Sequence, residues 1–131
     1  MPSTGSTPIY VAIVDDDADL CRSMSRLLRA AGIQSVTYPS AEAFLADYKS
    51  PRFDCLVFDI QLEGMSGLEL SRRLAASGSS TPVIFITAHD DPAVRAEALA
   101  GGCAGYFRKN DPGEAVIDVI RRVAGGEGPG K

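Results

Sequence analysis

Five times along this chain a run of four or five mostly apolar residues is followed by a stretch whose apolar residues recur at helical spacing. That alternation restricts the fold more than any other feature. The runs are Tyr10 to Val14, Ser35 to Tyr38, Cys55 to Phe58, Val83 to Ile86 and Gly105 to Arg108. Several are continuously apolar, as strands covered on both faces must be. Between the first two, Leu20, Met24, Leu27, Leu28 and Ala31 repeat at helical spacing, with Gly32 as a stop signal. Ser40 is an N-cap candidate before "AEAFLADY", and a third helix is expected over Gly67 to Ala76, ended by the "SGSSTP" turn. Asp91-Pro92 and Asp111-Pro112 each place a capping carboxylate before a proline at the first helical position, with Glu114 completing something like a capping box. Val116, Val119, Ile120 and Val123 mark one face of a last helix. Parallel strands need right-handed crossovers, so five such units predict an α/β fold with an open, doubly wound five-stranded parallel sheet.

The 131 residues fit a single domain, expected over 9–124, with a flexible N-terminus at 1–8 and a tail or the start of a linker at 125–131. With 13 Lys and Arg against 17 Asp and Glu, the net charge of -4 argues against direct nucleic acid binding by this domain or attraction to an anionic membrane. The segment "MPSTGSTP" lacks the apolar core of a signal peptide, and a cytoplasmic location is the expectation. Cys21, Cys55 and Cys103 have no metal-like spacing and are expected to be buried thiols.

In an open parallel sheet, ligands gather beyond the carboxyl ends of the strands. The residues there are Asp15 and Asp16 after the first strand, Asp59 at the end of the third, Thr87 at the end of the fourth and Lys109 at the end of the fifth. Hard carboxylate oxygens with room for water suit Mg²⁺, and Lys109 offsets part of the remaining charge. A carboxylate can accept a phosphoryl group, a reaction that needs mainly positioning and charge neutralisation, so Asp59 is the candidate nucleophile. Asp17 and Asp19 have a simpler explanation, because acids favour the first turn of a helix. His89 sits two positions after Thr87, at the edge of the pocket.

Other chemistries fit less well. Asp15, Asp17 and Asp19 open like a calcium loop, but Leu20 stands where glycine is needed and Arg26 where a bidentate Glu belongs. Asp19 also breaks the D-x-D-x-[TV] pattern of aspartate-nucleophile phosphatases, and no Gly-rich phosphate loop follows the first strand. A protein-binding module of the same fold that takes no phosphate stays open as an alternative.

The segments "IVDDDAD", "CLVFDIQLEGMSGLEL", "PVIFITAHDD" and "GYFRK", in this order, resemble the receiver domain of bacterial two-component response regulators, from about Ile9 to Val123. "SAEAFL" and "ITAHDDPAVRAEAL" resemble most the receivers of nitrogen-fixation-type regulators that carry a helix-turn-helix output domain. The resemblance implies strand order 2-1-3-4-5, Asp59 as phosphoacceptor, Asp16 as a direct Mg²⁺ ligand, Asp15 as a ligand mostly through water and the Gln61 carbonyl as a further ligand. It implies that Thr87 turns toward the phosphoryl group, that Lys109 binds one of its oxygens and that Tyr106 is the aromatic switch. It also implies a signalling switch rather than an enzyme, a histidine kinase or phosphotransfer protein as donor, and a homodimer through the face of the fourth helix, fifth strand and fifth helix. Two positions depart from the family: Asn110 replaces the usual cis-proline after Lys109, and Glu63 stands where proline is common. A non-proline cis bond costs about 2.5–4 kcal/mol, so the loop after Lys109 is expected to differ from the family's.

Overall fold

Each apolar run forms a strand: β1 (Tyr10–Val14), β2 (Gln34–Tyr38), β3 (Cys55–Asp59), β4 (Val83–Thr87) and β5 (Gly105–Arg108). They alternate with α1 (Ala18–Ala30), α2 (Ala41–Asp47), α3 (Gly67–Ala76), α4 (Pro92–Ala100) and α5 (Gly113–Ala124). The computed structural model describes residues 8–48 and 52–125, so the expected flexible N-terminus and tail, apart from Pro8 and Gly125, lie outside the described residues. No helix among the described residues is long and apolar enough to cross a membrane.

The sheet is parallel throughout, in the order β2-β1-β3-β4-β5. Val14 lies opposite Tyr38 and Phe58, Asp59 opposite Ile86, and Thr87 opposite Arg108, so all five strand ends form one rim, with the candidate residues at four of them, β1, β3, β4 and β5. Asp59 and Thr87 are the last residues of their strands, one position beyond the apolar runs, because the ladder continues through them.

The two-residue period of the strands sorts their side chains into two cores. Val11, Ile13, Val57, Ile84 and Ile86 pack with Met24 and Leu28 of α1 and Val116 and Ile120 of α5. Ala12, Val14, Leu56, Phe58 and Phe85 pack on the other face with Phe44 of α2, Leu70 and Leu74 of α3 and Ala98 of α4. Each large side chain buried in this way contributes about 1.5–3 kcal/mol before the entropy of ordering it is subtracted. The helices differ in their anchorage: α5 buries Val116, Ile117, Val119 and Ile120, whereas α4 buries only Ala98.

Asp17, Ser40, Ser66 and Asp91 cap α1, α2, α3 and α4 with their side-chain oxygens. Asp19 occupies the first turn of α1 and pairs with Arg22. The expected cap on α5 does not form. Pro112 is itself the N-cap residue, no side chain caps the helix, and Glu114 completes no capping box. The Asp111 carboxylate is already used, accepting the Arg108 N–H at 2.8 Å, and the Asp111 N–H returns to the Arg108 carbonyl at 3.0 Å. The tight turn after β5 thus consumes the group that the identical dipeptide at Asp91-Pro92 leaves for its helix. Cys21 and Cys55 are buried as expected, and burial pushes the Cys55 thiol up to about 12. Cys103 is only half-buried, because it lies in the turn after α4, lining a groove between α3 and α4.

Candidate functional site

The rim of the sheet gathers charge from three strands. Asp15 follows β1 directly and its N–H donates to the Tyr38 carbonyl at 3.0 Å, which extends the ladder one residue past the strand. Asp59 is fixed from behind: Ile60 N–H donates to the Ile86 carbonyl at 3.1 Å, and Gly67 N–H donates to the Ile60 carbonyl at 3.0 Å. A Cβ on Gly67 would stand 2.3 Å from the Asp59 carbonyl oxygen, so only glycine lets the start of α3 lie this close to Asp59. The Lys109 N–H donates to the Thr87 carbonyl at 2.9 Å, carrying the β4–β5 pairing one residue further and holding the Lys109 backbone even with Asn110 after it.

Asp15 and Asp59 are only 2% and 3% exposed, and with Thr87 they are the buried polar or charged residues among those described. The Lys109 ammonium bridges them, 3.1 Å from Asp15 Oδ2 and 3.2 Å from Asp59 Oδ2. Backbone donors take up further oxygens: Asp17 N–H binds Asp15 Oδ1 at 2.9 Å and Gln61 N–H binds Asp59 Oδ1 at 3.1 Å. Asp16 is exposed, yet carboxylate oxygens of Asp15, Asp16 and Asp59 all lie within 4.8 Å of one another.

Burial, reinforced by the Asp15 charge, pushes the Asp59 carboxyl up to about 6, against the pull of Lys109 and the Gln61 N–H. Burial alone would lower the Lys109 pKa, but the hydrogen bond and charge of Asp15, with those of Asp59, outweigh it and the ammonium is held above its ordinary range. Three carboxylates and one ammonium leave two net negative charges, which one divalent cation would balance. The donors are all hard oxygens, so the residues present fit a hard divalent ion.

Thr87 and Tyr106 lie outside this cluster. The Thr87 hydroxyl accepts the His89 N–H at 3.1 Å and donates to the His89 carbonyl at 2.9 Å, so its side chain is engaged with the β4–α4 loop. The Tyr106 hydroxyl donates to Asp90 Oδ1 at 3.3 Å, and the Arg95 guanidinium lies 5.4 Å from its ring centroid. The His89 side chain is exposed. The structure brings Asp15, Asp16, Asp59 and Lys109, which the sequence singled out, into one cluster. Sequence reasoning missed Asp90 and Arg95, which hold Tyr106, and Gly67 behind Asp59. A groove of about 480 Å³ starts at Asp15 and Asp16 and follows α1 past Arg22, Arg26 and Arg29.

Comparison with known proteins agrees with this arrangement. The family model for the response regulator receiver domain matches residues 11–121. The response regulator protein TmoT of Ectopseudomonas mendocina is 35% identical over 111 residues, covering 85% of this chain and 50% of TmoT. The crystal structure of FixJ-N superposes with a TM-score of 0.83 at 32% identity, over 92% of this chain and 96% of that one. A response regulator receiver protein from Burkholderia phymatum gives a TM-score of 0.77 at 45% identity, over 91% of this chain and 96% of that one. The chain spans about half the length of curated relatives such as TmoT. Four strand ends, two buried acids bridged by one lysine, and the family match over most of the chain lead to one assignment: this chain belongs to the response regulator receiver domains of two-component systems.

Proposed function

We propose that Asp59 accepts a phosphoryl group from the phosphohistidine of a histidine kinase or phosphotransfer protein. One observation carries this reading: a nearly buried carboxylate at a strand end has an ammonium 3.2 Å away and two further carboxylates within 4.8 Å. A carboxylate oxygen of Asp59 attacks phosphorus, the P–O bond forms as the P–N bond breaks, and the imidazole nitrogen leaves with the electron pair and takes up a proton. Lys109 binds an oxygen of the incoming group, neutralising charge where it accumulates. Asp16, Asp59 and the Gln61 carbonyl would hold Mg²⁺ directly, and Asp15 through water. When bound, Mg²⁺ supplies further neutralisation of the phosphoryl oxygens.

The response follows from what holds Thr87 and Tyr106 at rest. Thr87 gives up its two hydrogen bonds to His89 when it turns to the phosphoryl group, which frees the loop that Asp90 and Tyr106 also clasp. The affected surface is the α4-β5-α5 face, where Leu99 is 56% exposed. This face is proposed to bind a second copy or an output domain. The domain so assigned covers residues 9–124, acts as a switch in the cytoplasm and catalyses only its own phosphorylation and dephosphorylation. The reading of a module that takes no phosphate is not favoured, because acceptor, ammonium and accompanying acids are all in place.

The test is incubation with Mg²⁺ and a small acyl-phosphate donor, followed by intact mass. Wild type gains one phosphoryl group and Asp59→Asn gains none. No gain in wild type, while a control receiver reacts, overturns the reading.

A further inference from the structure

The loop from Ile60 to Ser66 joins the phosphoacceptor to α3 and carries Gln61. Its ends are secured by Gln61 N–H on Asp59 Oδ1 (3.1 Å) and Gly67 N–H on the Ile60 carbonyl (3.0 Å), with Leu62 buried between them. Its outer part, Glu63 to Met65, has one polar tie among the described residues: the Met65 N–H donates to Glu42 Oε2 at 3.1 Å. Glu42 is 23 positions away in sequence, at the second residue of α2, and the base of that helix is pinned by buried Ala41 and by Ser40 Oγ accepting the Ala43 N–H at 3.0 Å. The loop is shaped to receive this carboxylate. Gly64 turns at φ +77°, and a Cβ there would lie 2.9 Å from Glu42 Oε2.

We infer that Glu42 is a positioning residue for the cation site, bracing the loop so that the main chain at Gln61 stays aligned with Asp59. The inference rests on the proposed Mg²⁺-dependent phosphoryl transfer. Groups that orient ligands from outside the first layer typically matter by 10–100-fold in metal affinity. An exposed acid on α2 would otherwise contribute only a small favourable interaction with its own helix dipole.

Calorimetric titration with Mg²⁺ of wild type, Glu42→Ala, Glu42→Gln and Glu69→Ala tests this, together with amide exchange at Met65 in the folded proteins. Glu42→Ala is expected to weaken Mg²⁺ binding about tenfold and to speed exchange at Met65. Glu42→Gln keeps an acceptor oxygen and is expected to stay within about twofold of wild type on both readouts. Glu69→Ala removes the same charge from an exposed position on α3 and is expected to change neither. Wild-type affinity in Glu42→Ala overturns the brace. Equal weakening in Glu42→Ala and Glu42→Gln does so too, since charge alone would then explain the effect. If wild type takes up no Mg²⁺ at all, the phosphoryl-transfer reading falls and this inference falls with it. Binding by wild type that is unchanged in Glu42→Ala removes the brace and leaves that reading standing.

Discussion

The Thr87 hydroxyl is bound twice to one residue, accepting from the His89 N–H and donating to the His89 carbonyl. Both bonds lie within the β4–α4 loop, so one side chain sets the loop's resting shape. Thr87→Val keeps the volume and removes both bonds. It is expected to destabilise the domain by about 1–2 kcal/mol and to speed amide exchange at His89, while Thr87→Ser retains most of the protection. Urea melts and exchange measured on the three proteins check this.

The raised carboxyl of Asp59 makes stability depend on pH in an unusual direction for an acid. In the folded domain it keeps its proton up to about pH 6, whereas an unfolded chain releases it near pH 3.9. Between those values the folded state binds more protons, so stability falls as pH rises through about 6. Without divalent cations, Asp59→Asn is expected to be more stable than wild type at neutral pH by roughly 1–3 kcal/mol, and equal to it below about pH 4. Denaturation in the presence of a chelator across this range measures the difference.

Lys109 is the counter-charge for two nearly buried acids, and its side chain is itself only 20% exposed. Lys109→Met leaves those acids facing each other and is expected to cost about 2–4 kcal/mol at neutral pH. A divalent cation substitutes for the lost charge. Adding Mg²⁺ is therefore expected to raise the melting temperature more in the variant than in wild type, although phosphoryl uptake is lost. An equal rise in both would contradict the bridging role.

Gly67 and Gly64 are required for different reasons, and alanine separates them. At Gly67 the added carbon meets the Asp59 carbonyl oxygen at 2.3 Å, a backbone atom that cannot move aside, and a loss of more than about 2 kcal/mol with weaker cation binding is expected. At Gly64 it meets the end of the flexible Glu42 side chain, so the cost is mainly that of positive φ, about 1–2 kcal/mol. Chemical denaturation distinguishes the two by the size of the loss.

The sheet was legible in the sequence because β1, β3 and β4 are covered on both faces, which writes them as unbroken apolar runs such as "CLVF" and "VIFI". The acids and Lys109 were legible for a related reason: in a parallel sheet, ending a strand, as Asp59 does, or directly following one, as Asp15, Asp16 and Lys109 do, is enough to place a residue at the rim. Asp111 misled because its local pattern is the same as that of Asp91, and only the geometry of the turn decides which N–H takes the carboxylate. Glu42 on Met65 and Tyr106 on Asp90 span 23 and 16 residues and leave no periodic trace. The orientation of the Thr87 hydroxyl was hidden for the same reason, since a sequence fixes where a side chain starts and not which partner it chooses.

The close seat of α3 against the Asp59 carbonyl has a mechanical consequence. One wall of the pocket is rigid, because any shift of Asp59 toward α3 meets main-chain atoms with no room left. On the same face of the sheet α4 is held more lightly, with Ala98 buried and Val94 partly buried against the core. Asp59 thus has a fixed stop on the α3 side, whereas α4 can shift with little loss of buried surface.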